Sequence, residues 1–423
     1  MTTDEAKKIT LKWLVKLYGE DVAVKLYRAG ESTMFDYHGL AYRLGNESLH
    51  YFCELFLHDL LFDYSGDKVP LSEMHYKIWD YLQNTMLNRN NTRDVFVLPR
   101  GCGKTTTINI PVAIWTALYC VHPFIVIQSA IKDRAENFVE TIKQQIENNY
   151  YINQCFGQLI EPGTENKKRS VINKNLKYNV AEIELDIQPQ RVKIKAVSST
   201  SSVRGITYGS YRPGLLLVDD GQDDKQVTTD EGCEEIVNNF QSGIMKSLQT
   251  QHYHVIALGT VIRVNDLYDT ILNDVTWTKR IEKCIPVDDV DYFFKSQPHW
   301  MKVKDILLSR DKNPNAAFDA LDYYEAHKDE MDYPVIWEKY KCYDLFLEWL
   351  SHPIAFKREY QGEYYALGEK RIHSLLAIPA EEIEKIEFAK TIMSIDPAAV
   401  KAKRNDYYAF WLSVLISKIQ DIG

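Results

Sequence analysis

Residues 95–107 read Val95-Phe96-Val97-Leu98-Pro99-Arg100-Gly101-Cys102-Gly103-Lys104-Thr105-Thr106-Thr107, and their reading decides the fold. An apolar run with the length of a short buried strand stops at Pro99. It passes two glycines one residue apart and meets Lys104 and Thr105 where a helix rich in Ile, Val and Ala begins. Strand, glycine turn and helix start in that order make a phosphate-binding loop. Glycines let backbone N–H groups close around phosphate oxygens, and the helix N-terminus favours negative charge. The lysine reaches the β and γ phosphates, and the threonine hydroxyl ligates Mg²⁺. Arg100, Gly101, Cys102, Gly103, Lys104, Thr105 and Thr106 are therefore the candidate nucleotide-binding residues. Leu98 departs from the usual pattern, which has a glycine at that position. The competing reading is an ordinary Gly-rich strand-to-helix turn that happens to carry a lysine.

Outward from the loop the chain alternates helix and strand. Residues 105–119 have helical spacing, 124–129 form a short apolar strand, and 133–148 form a second helix. Strands buried on both faces and alternating with helices predict a mostly parallel sheet. Residues 178–197 alternate apolar and polar positions as one strand, with Arg191, Lys193 and Lys195 on one side. That side is a solvated face or, in a sharper reading, a DNA-facing stripe. Residues 215–218 are a four-residue apolar strand that runs directly into Asp219 and Asp220. In nucleotide hydrolases of this sheet type, a carboxylate at the end of such a strand helps hold Mg²⁺ and the next acid polarises the attacking water. Asp219 takes the first role and Asp220 the second, with Asp in place of the more usual Glu. A third strand, 254–259, ends in Gly259 and Thr260, where such enzymes sense the γ-phosphate. Loop and acid pair together favour an ATP hydrolase over the bland turn.

Ahead of the loop, residues 3–63 place apolar side chains at helical spacing and predict a helical lobe; Gly66 and Pro70 break the pattern. Residues 71–87 form an amphipathic helix with His75, Tyr76, Trp79 and Tyr81, either core or a platform for adenine. With 423 residues, 45% hydrophobic and 26% charged, the chain has room for two or three domains of ordinary globular composition. No apolar run approaches the roughly 18 residues of a membrane helix, and residues 1–8 do not resemble a signal peptide. A soluble, intracellular protein without a membrane partner is expected. Seven cysteines without close pairs argue against a zinc site and a disulfide framework. A net charge of -9 does not advertise nucleic-acid binding, although one basic face can serve an acidic protein.

Taken in order, these residues resemble the large terminase subunit of tailed bacteriophages and their prophages, the ATPase that drives genome packaging. The loop Pro99-Arg100-Gly101-Cys102-Gly103-Lys104-Thr105 is similar to the family's variant, which also lacks the first glycine and carries an arginine ahead of the closing pair. Val203-Arg204-Gly205 follows, then Arg212-Pro213-Gly214 leading to the acid pair, then Gly259-Thr260 with Asn265-Asp266-Leu267-Tyr268. Phe356-Lys357-Arg358-Glu359-Tyr360-Gln361-Gly362 resembles the segment that closes the ATPase domain.

The resemblance implies an α/β, P-loop ATPase of the ASCE type with a mostly parallel central sheet. It divides the chain into a helical N-terminal lobe (1–68), the ATPase core (69–285), a helical linker region (286–390) and the start of an RNase H-like nuclease domain (391–423). Asp396 matches that domain's first metal-binding aspartate. The further carboxylates of two-metal chemistry would come from later strands, so a truncated domain without nuclease activity is expected. ATP and Mg²⁺ are the implied substrate and cofactor. Double-stranded DNA, a portal protein, a small terminase subunit and copies of the chain in a ring are the implied partners, in the cytoplasm of a bacterial host. Arg100 in cis, or Arg204 or Arg212 in trans, would supply the arginine finger; a salt bridge to the acids of 219–224 is the other reading for the last two. A nucleic-acid helicase and a prophage-derived nucleotide-gated scaffold are the alternatives.

Overall fold

Residues 91–97, 124–129, 215–219 and 253–258 are too short for stable helices and rich in Val, Ile, Leu and Phe, which suits strands buried on both faces. In the computed structural model of the chain they are β1 (Asn91–Val97), β2 (Phe124–Ser129), β5 (Leu215–Asp219) and β6 (Tyr253–Leu258). With β3 (Glu182–Ile187), β4 (Gln190–Ser198) and β7 (Thr278–Ile281) they form one sheet of order β3-β4-β2-β5-β6-β1-β7. Every pairing is parallel except β3 with β4. The structure describes residues 1–61, 70–157, 159, 177, 179–187, 190–201 and 205–363, with the strands Phe388–Asp396 and Ala409–Ile416 as backbone.

β6 lies between β1, which leads into the loop, and β5, which carries the acid pair. That additional strand is what places the chain in the ASCE type. Because the four central strands are parallel, their carboxyl ends share one edge of the sheet. Alternate residues face opposite sides, as strand geometry requires. Phe96, Ile125, Ile127, Leu215, Leu217, Ile256 and Leu258 join one core with the helices Glu73–Asn88, Ile110–Leu118 and Lys132–Asn148. Val95, Val97, Phe124, Val126, Leu216, Val218, Val255 and Ala257 join a second with Asp230–Asn238 and Leu267–Asn273. The N-terminal helices, among them Thr3–Tyr18 and Leu49–Phe56, belong to the first core through Trp13, Tyr51, Phe52 and Phe56. Trp115 Nε1 ties them in by donating to the Gly45 carbonyl at 2.9 Å. Among the described residues no helix is long and apolar enough to cross a membrane.

One expectation changes. Residues 178–197 are not one strand: β3 and β4 are antiparallel neighbours, with Glu184 opposite Lys193. The alternating pattern ran on because both strands bury the same face. Two members of the basic stripe, Arg191 and Lys193, are accordingly committed to the neighbouring strand. Lys193 is buried, 2.8 Å from Glu182 and 3.5 Å from Glu184, and Arg191 lies 3.8 Å from Asp186. The stretch read as helical linker has a core of its own, built from Phe294, Trp300, Phe346, Trp349 and Phe356 on helices between Val290–Lys295 and Pro353–Gln361.

Contacts divide the chain into Met1–Leu367 and Gly368–Gly423. Within the second unit, β8 (Phe388–Asp396) and β9 (Ala409–Ile416) form an antiparallel pair in which Asp396 is opposite Ala409. Arg204, the basic stretch at 167–174, Pro397 and Asp406 lie outside the described residues.

Candidate functional site

β1 ends below Leu98 and Pro99, and the chain turns through Gly101 (φ +84°) and Gly103 (φ +75°), left-handed conformations that cost glycine nothing. The Thr107 N–H and hydroxyl both close on the Gly103 carbonyl, at 2.8 and 2.9 Å. Behind the turn stands the helix Glu73–Asn88, whose aromatic residues prove to be buttresses. His75 Nε2 lies 2.9 Å from the Cys102 carbonyl, and Trp79 Nε1 donates to the Thr107 carbonyl at 2.6 Å. Both are buried, and Tyr76 stacks on His50, so the helix braces the loop through side-chain contacts to its backbone. Cys102 is buried in the same packing, which pushes its thiol up to about 11.

The helix leaving the loop opens with a wide turn, Ile110 N–H bonding to Thr105 O five residues back. Such turns recur at functional sites. Thr105 and Asn109, four apart on one face, meet the end of β5. Thr105 Oγ1 is 2.9 and 2.8 Å from the two Asp219 oxygens, and Asn109 Nδ2 donates to Oδ1 at 3.0 Å. Burial, and then the neighbouring Asp220, raise Asp219 to about 6, despite the opposing pull of Thr105, Asn109 and Lys104. A carboxylate so raised has lost more to burial and to Asp220 than Thr105, Asn109 and Lys104 return. The hydroxyl and carboxylate oxygens gathered there are the hard donor set that suits Mg²⁺, so these residues fit a divalent cation.

Asp220 adopts a left-handed backbone, φ +44°, uncommon outside glycine. Two neighbouring strand ends fix it: its N–H donates to the Leu258 carbonyl and its carbonyl accepts from Ala130 N–H, both at 2.9 Å. The Asp220 charge is felt by Asp219, by Cys102 in the loop and by Tyr268. The Asp220 backbone joins the end of β5 to the end of β6.

Gly259 follows β6, and its role here is space. A Cβ there would overlap the Tyr268 ring. The buried Tyr268 hydroxyl donates to the Leu258 carbonyl at 2.7 Å and accepts from Gly221 N–H at 2.9 Å, bracing the backbone on both sides of Asp220. Gln222 completes the brace. It donates to the Thr260 carbonyl (3.4 Å) and Asp266 (2.6 Å) and accepts from Leu267 N–H (2.8 Å). Asp266, wholly buried, caps its helix through Asp269 N–H and accepts from Ile262 and Arg263 N–H groups.

The segment 356–362 reaches the loop from the helical side. Glu359 accepts from Arg100 N–H through its carbonyl (2.8 Å) and from the Arg100 guanidinium through its carboxylate (2.6 Å). The Tyr340 hydroxyl donates to the Arg100 carbonyl at 2.8 Å. Gln361 is buried and bonds both ways to the Ile285 backbone at 3.0 Å. Arg212, by contrast, lies before β5 at the amino edge, and its guanidinium donates to the Lys246 carbonyl at 3.5 Å. A salt bridge to the acids of 219–224, the other reading of this residue, is not formed among the described residues.

The site thus brings together Arg100, Gly101, Cys102, Gly103, Lys104, Thr105 and Thr106 with Asp219 and Asp220, while Gly259 and Thr260 border it through Tyr268 and Gln222. Asn109, Tyr340, Glu359, Gln222 and the bracing hydroxyl of Tyr268 were not foreseen as site components, and His75 and Trp79 were foreseen only as core or as a platform for adenine. The four-residue spacing of Asn109 from Thr105 was one signal, and Tyr268 and Glu359 stood in quoted motifs without an assigned role.

No protein-family model matches the chain, and no curated protein sequence matches it. Among the solved structures it is similar to are three DNA-packaging proteins. A mutant ATPase domain of the Thermus phage P74-26 large terminase has a TM-score of 0.36 at 10% identity, over 64% of this chain and 88% of that one. The large terminase of a thermophilic bacteriophage has a TM-score of 0.33 at 6% identity, over 51% and 46%. The Phi-28 DNA packaging motor has a TM-score of 0.26 at 10% identity, over 55% and 65%.

Proposed function

We propose that the chain is an Mg²⁺-dependent ATPase that drives double-stranded DNA as the large terminase subunit of a tailed phage or prophage. The observation that carries the hydrolase is the meeting of Thr105 with both oxygens of Asp219, beside an Asp220 whose backbone is locked by two strands. The packaging role rests on the ordered motif series from Pro99 to Gly362. DNA, a portal, a small subunit, a ring of copies and the host cytoplasm follow from that role, as do the functional divisions 1–68, 69–285, 286–390 and 391–423 and a metal-ligand role for Asp396.

Phosphoryl transfer asks the protein for positioning and charge rather than covalent chemistry. Lys104 and the loop N–H groups between Gly101 and Thr106 hold the phosphates. Thr105 and Asp219 would hold Mg²⁺, which supplies charge neutralisation between the phosphates. Asp220 accepts a proton from the attacking water or orients it. Arg100 supplies positive charge in cis once it exchanges the Glu359 carboxylate for phosphate; Arg204 is the candidate in trans, and Gly259 and Thr260 sense the γ-phosphate.

The test is phosphate release from Mg-ATP, with and without linear duplex DNA, on the chain and on Lys104→Ala. Turnover that falls at least roughly a hundredfold in the variant is expected, with stimulation by duplex DNA. Equal turnover in both proteins would remove the hydrolase reading, and indifference to DNA would remove the motor.

A further inference from the structure

At the opposite end of the same strands stand three histidines that the nucleotide site does not use. His122 precedes β2, His252 precedes β6, and His254 is the second residue of β6. β5 separates β2 from β6, so imidazoles from the two strands can meet only across the start of β5. The residue at that crossing is Gly214, and a Cβ on it would overlap His122 Nδ1. Gly214 is also pinned between the two strands. Its N–H donates to the Phe124 carbonyl at 2.9 Å and its carbonyl accepts from His254 N–H at 2.8 Å.

The three rings form a triangle, with centroids 4.9 Å (His122 to His252), 5.1 Å (His122 to His254) and 5.4 Å (His252 to His254) apart. One nitrogen from each lies within 4.8 Å of the other two. His122 and His254 are fully buried, whereas His252 is exposed. Neither ring nitrogen of His122 has a hydrogen-bond partner; His254 meets Thr92 Oγ1 through Nδ1 at 2.9 Å and has the Met86 carbonyl as its other neighbour. Buried polar atoms left unpaired are costly and call for an occupant. Burial, reinforced by the neighbouring imidazoles, lowers His122 to about 2, and burial and His252 lower His254 to about 4 despite the Met86 carbonyl. Both rings are neutral at physiological pH, which is the form that binds metals.

We propose that His122, His252 and His254 form a site for a borderline divalent transition-metal ion, with Zn²⁺ the best match, at the amino edge of the sheet. Three imidazoles leave a fourth tetrahedral position for water or a further ligand. Zn–N bonds of about 2.05 Å place ligand atoms roughly 3.3 Å apart, so the rings close inward on binding. His252, exposed and in a turn with φ +57°, is free to make that movement. The ion would staple the starts of β2 and β6 across β5, about 16 Å from Asp219 along a five-residue strand. Cysteine spacing, which argued against zinc, does not bear on this site.

The test uses the full chain, stripped with chelator and then titrated with Zn²⁺ and, separately, Co²⁺, in the presence of excess Mg²⁺. His252→Asn is the informative variant, because the residue is exposed and Asn tolerates a positive φ. The expected result is one Zn²⁺ per chain by elemental analysis and a Tm raised by roughly 2–5 °C at a hundredfold excess over Kd, both lost in His252→Asn. Bound Co²⁺ should show d–d bands without thiolate charge transfer. Absence of uptake, equal uptake by His252→Asn, or a thiolate band from any of the seven free cysteines would overturn the site. None of these readouts depends on turnover, so they stand apart from the ATPase reading.

Discussion

The two edges of one sheet carry opposite chemistry. At the carboxyl edge the strands deliver oxygen: Thr105, Asp219 and Asp220 gather where burial raises the Asp219 carboxyl. At the amino edge the same strands deliver nitrogen: His122 and His254 are kept neutral, with the ring nitrogens of His122 unpaired. The first set suits a hard cation and polyphosphate, the second a softer ion. A parallel sheet makes such a separation natural, because its strands all start on one edge and finish on the other. On the two readings proposed above, the carboxyl edge would exchange ligands in every cycle, and the amino edge would only have to hold.

The sharpest way to break that comparison is Asp219→Asn. Turnover should fall roughly a hundredfold or more, as when a charge-stabilising group is removed from a reacting centre. Stability should move the other way. The folded protein raises Asp219 from an ordinary 3.8 to about 6, so its ionisation opposes folding above pH 6. That penalty fades as pH falls from 6 and is gone only below 3.8, where the carboxyl is protonated in both states. The nucleotide-free variant should therefore be the more stable protein at pH 8, by roughly 1 kcal/mol after allowance for solvent at the strand end and with a higher Tm, and have no advantage well below pH 4. Parallel Tm–pH profiles for the two proteins would remove the claim.

Tyr268→Phe probes the brace rather than the charge. It leaves the ring that fills the space above Gly259 and deletes the hydroxyl, so the Gly221 N–H and Leu258 carbonyl each lose a buried partner. The expected cost is roughly 1–3 kcal/mol in denaturant unfolding. Asp220, whose backbone the hydroxyl flanks, should lose kcat more than it loses apparent ATP affinity. A variant with unchanged stability would mean that water replaces the hydroxyl and that the brace is not needed.

These residues also mark how far the sequence could be read. The loop, the acid pair and the parallel sheet were legible because each is local: a run of apolar residues, a pair of glycines, an acid at a strand end. Asn109 was legible in principle, four residues from Thr105 on one helical face. Tyr268, Gln222 and Glu359 were not, since each meets its partner across tens to hundreds of residues and no spacing rule connects them. The hairpin at 182–198 was misread as one strand because a two-residue alternation does not register a reversal of direction. His122 and His254 escaped for the same reason as Tyr268: a gap of more than a hundred residues is closed only by the order of the sheet.

The smallest expected effect belongs to Glu359→Gln, and it tests whether Arg100 is anchored or in waiting. Burial pushes the Glu359 carboxyl up, but hydrogen bonds from Arg100 and Arg358 hold it below its ordinary range, so it is ionised at neutral pH. The Arg100 side chain is 68% exposed, and exposed pairs contribute about 0–1 kcal/mol. The substitution keeps the main-chain bond from Arg100 N–H to residue 359 and the Tyr340 bond to the Arg100 carbonyl, so the loop backbone stays in place. Tm should change by no more than about 2 °C. If Arg100 must leave Glu359 to meet phosphate, removing that charge should lower the KM for ATP, with the gain shrinking as salt screens the pair in the wild type. A raised KM would instead mean that Glu359 aims the guanidinium, making the helical segment 353–361 part of the nucleotide site rather than a clasp on it.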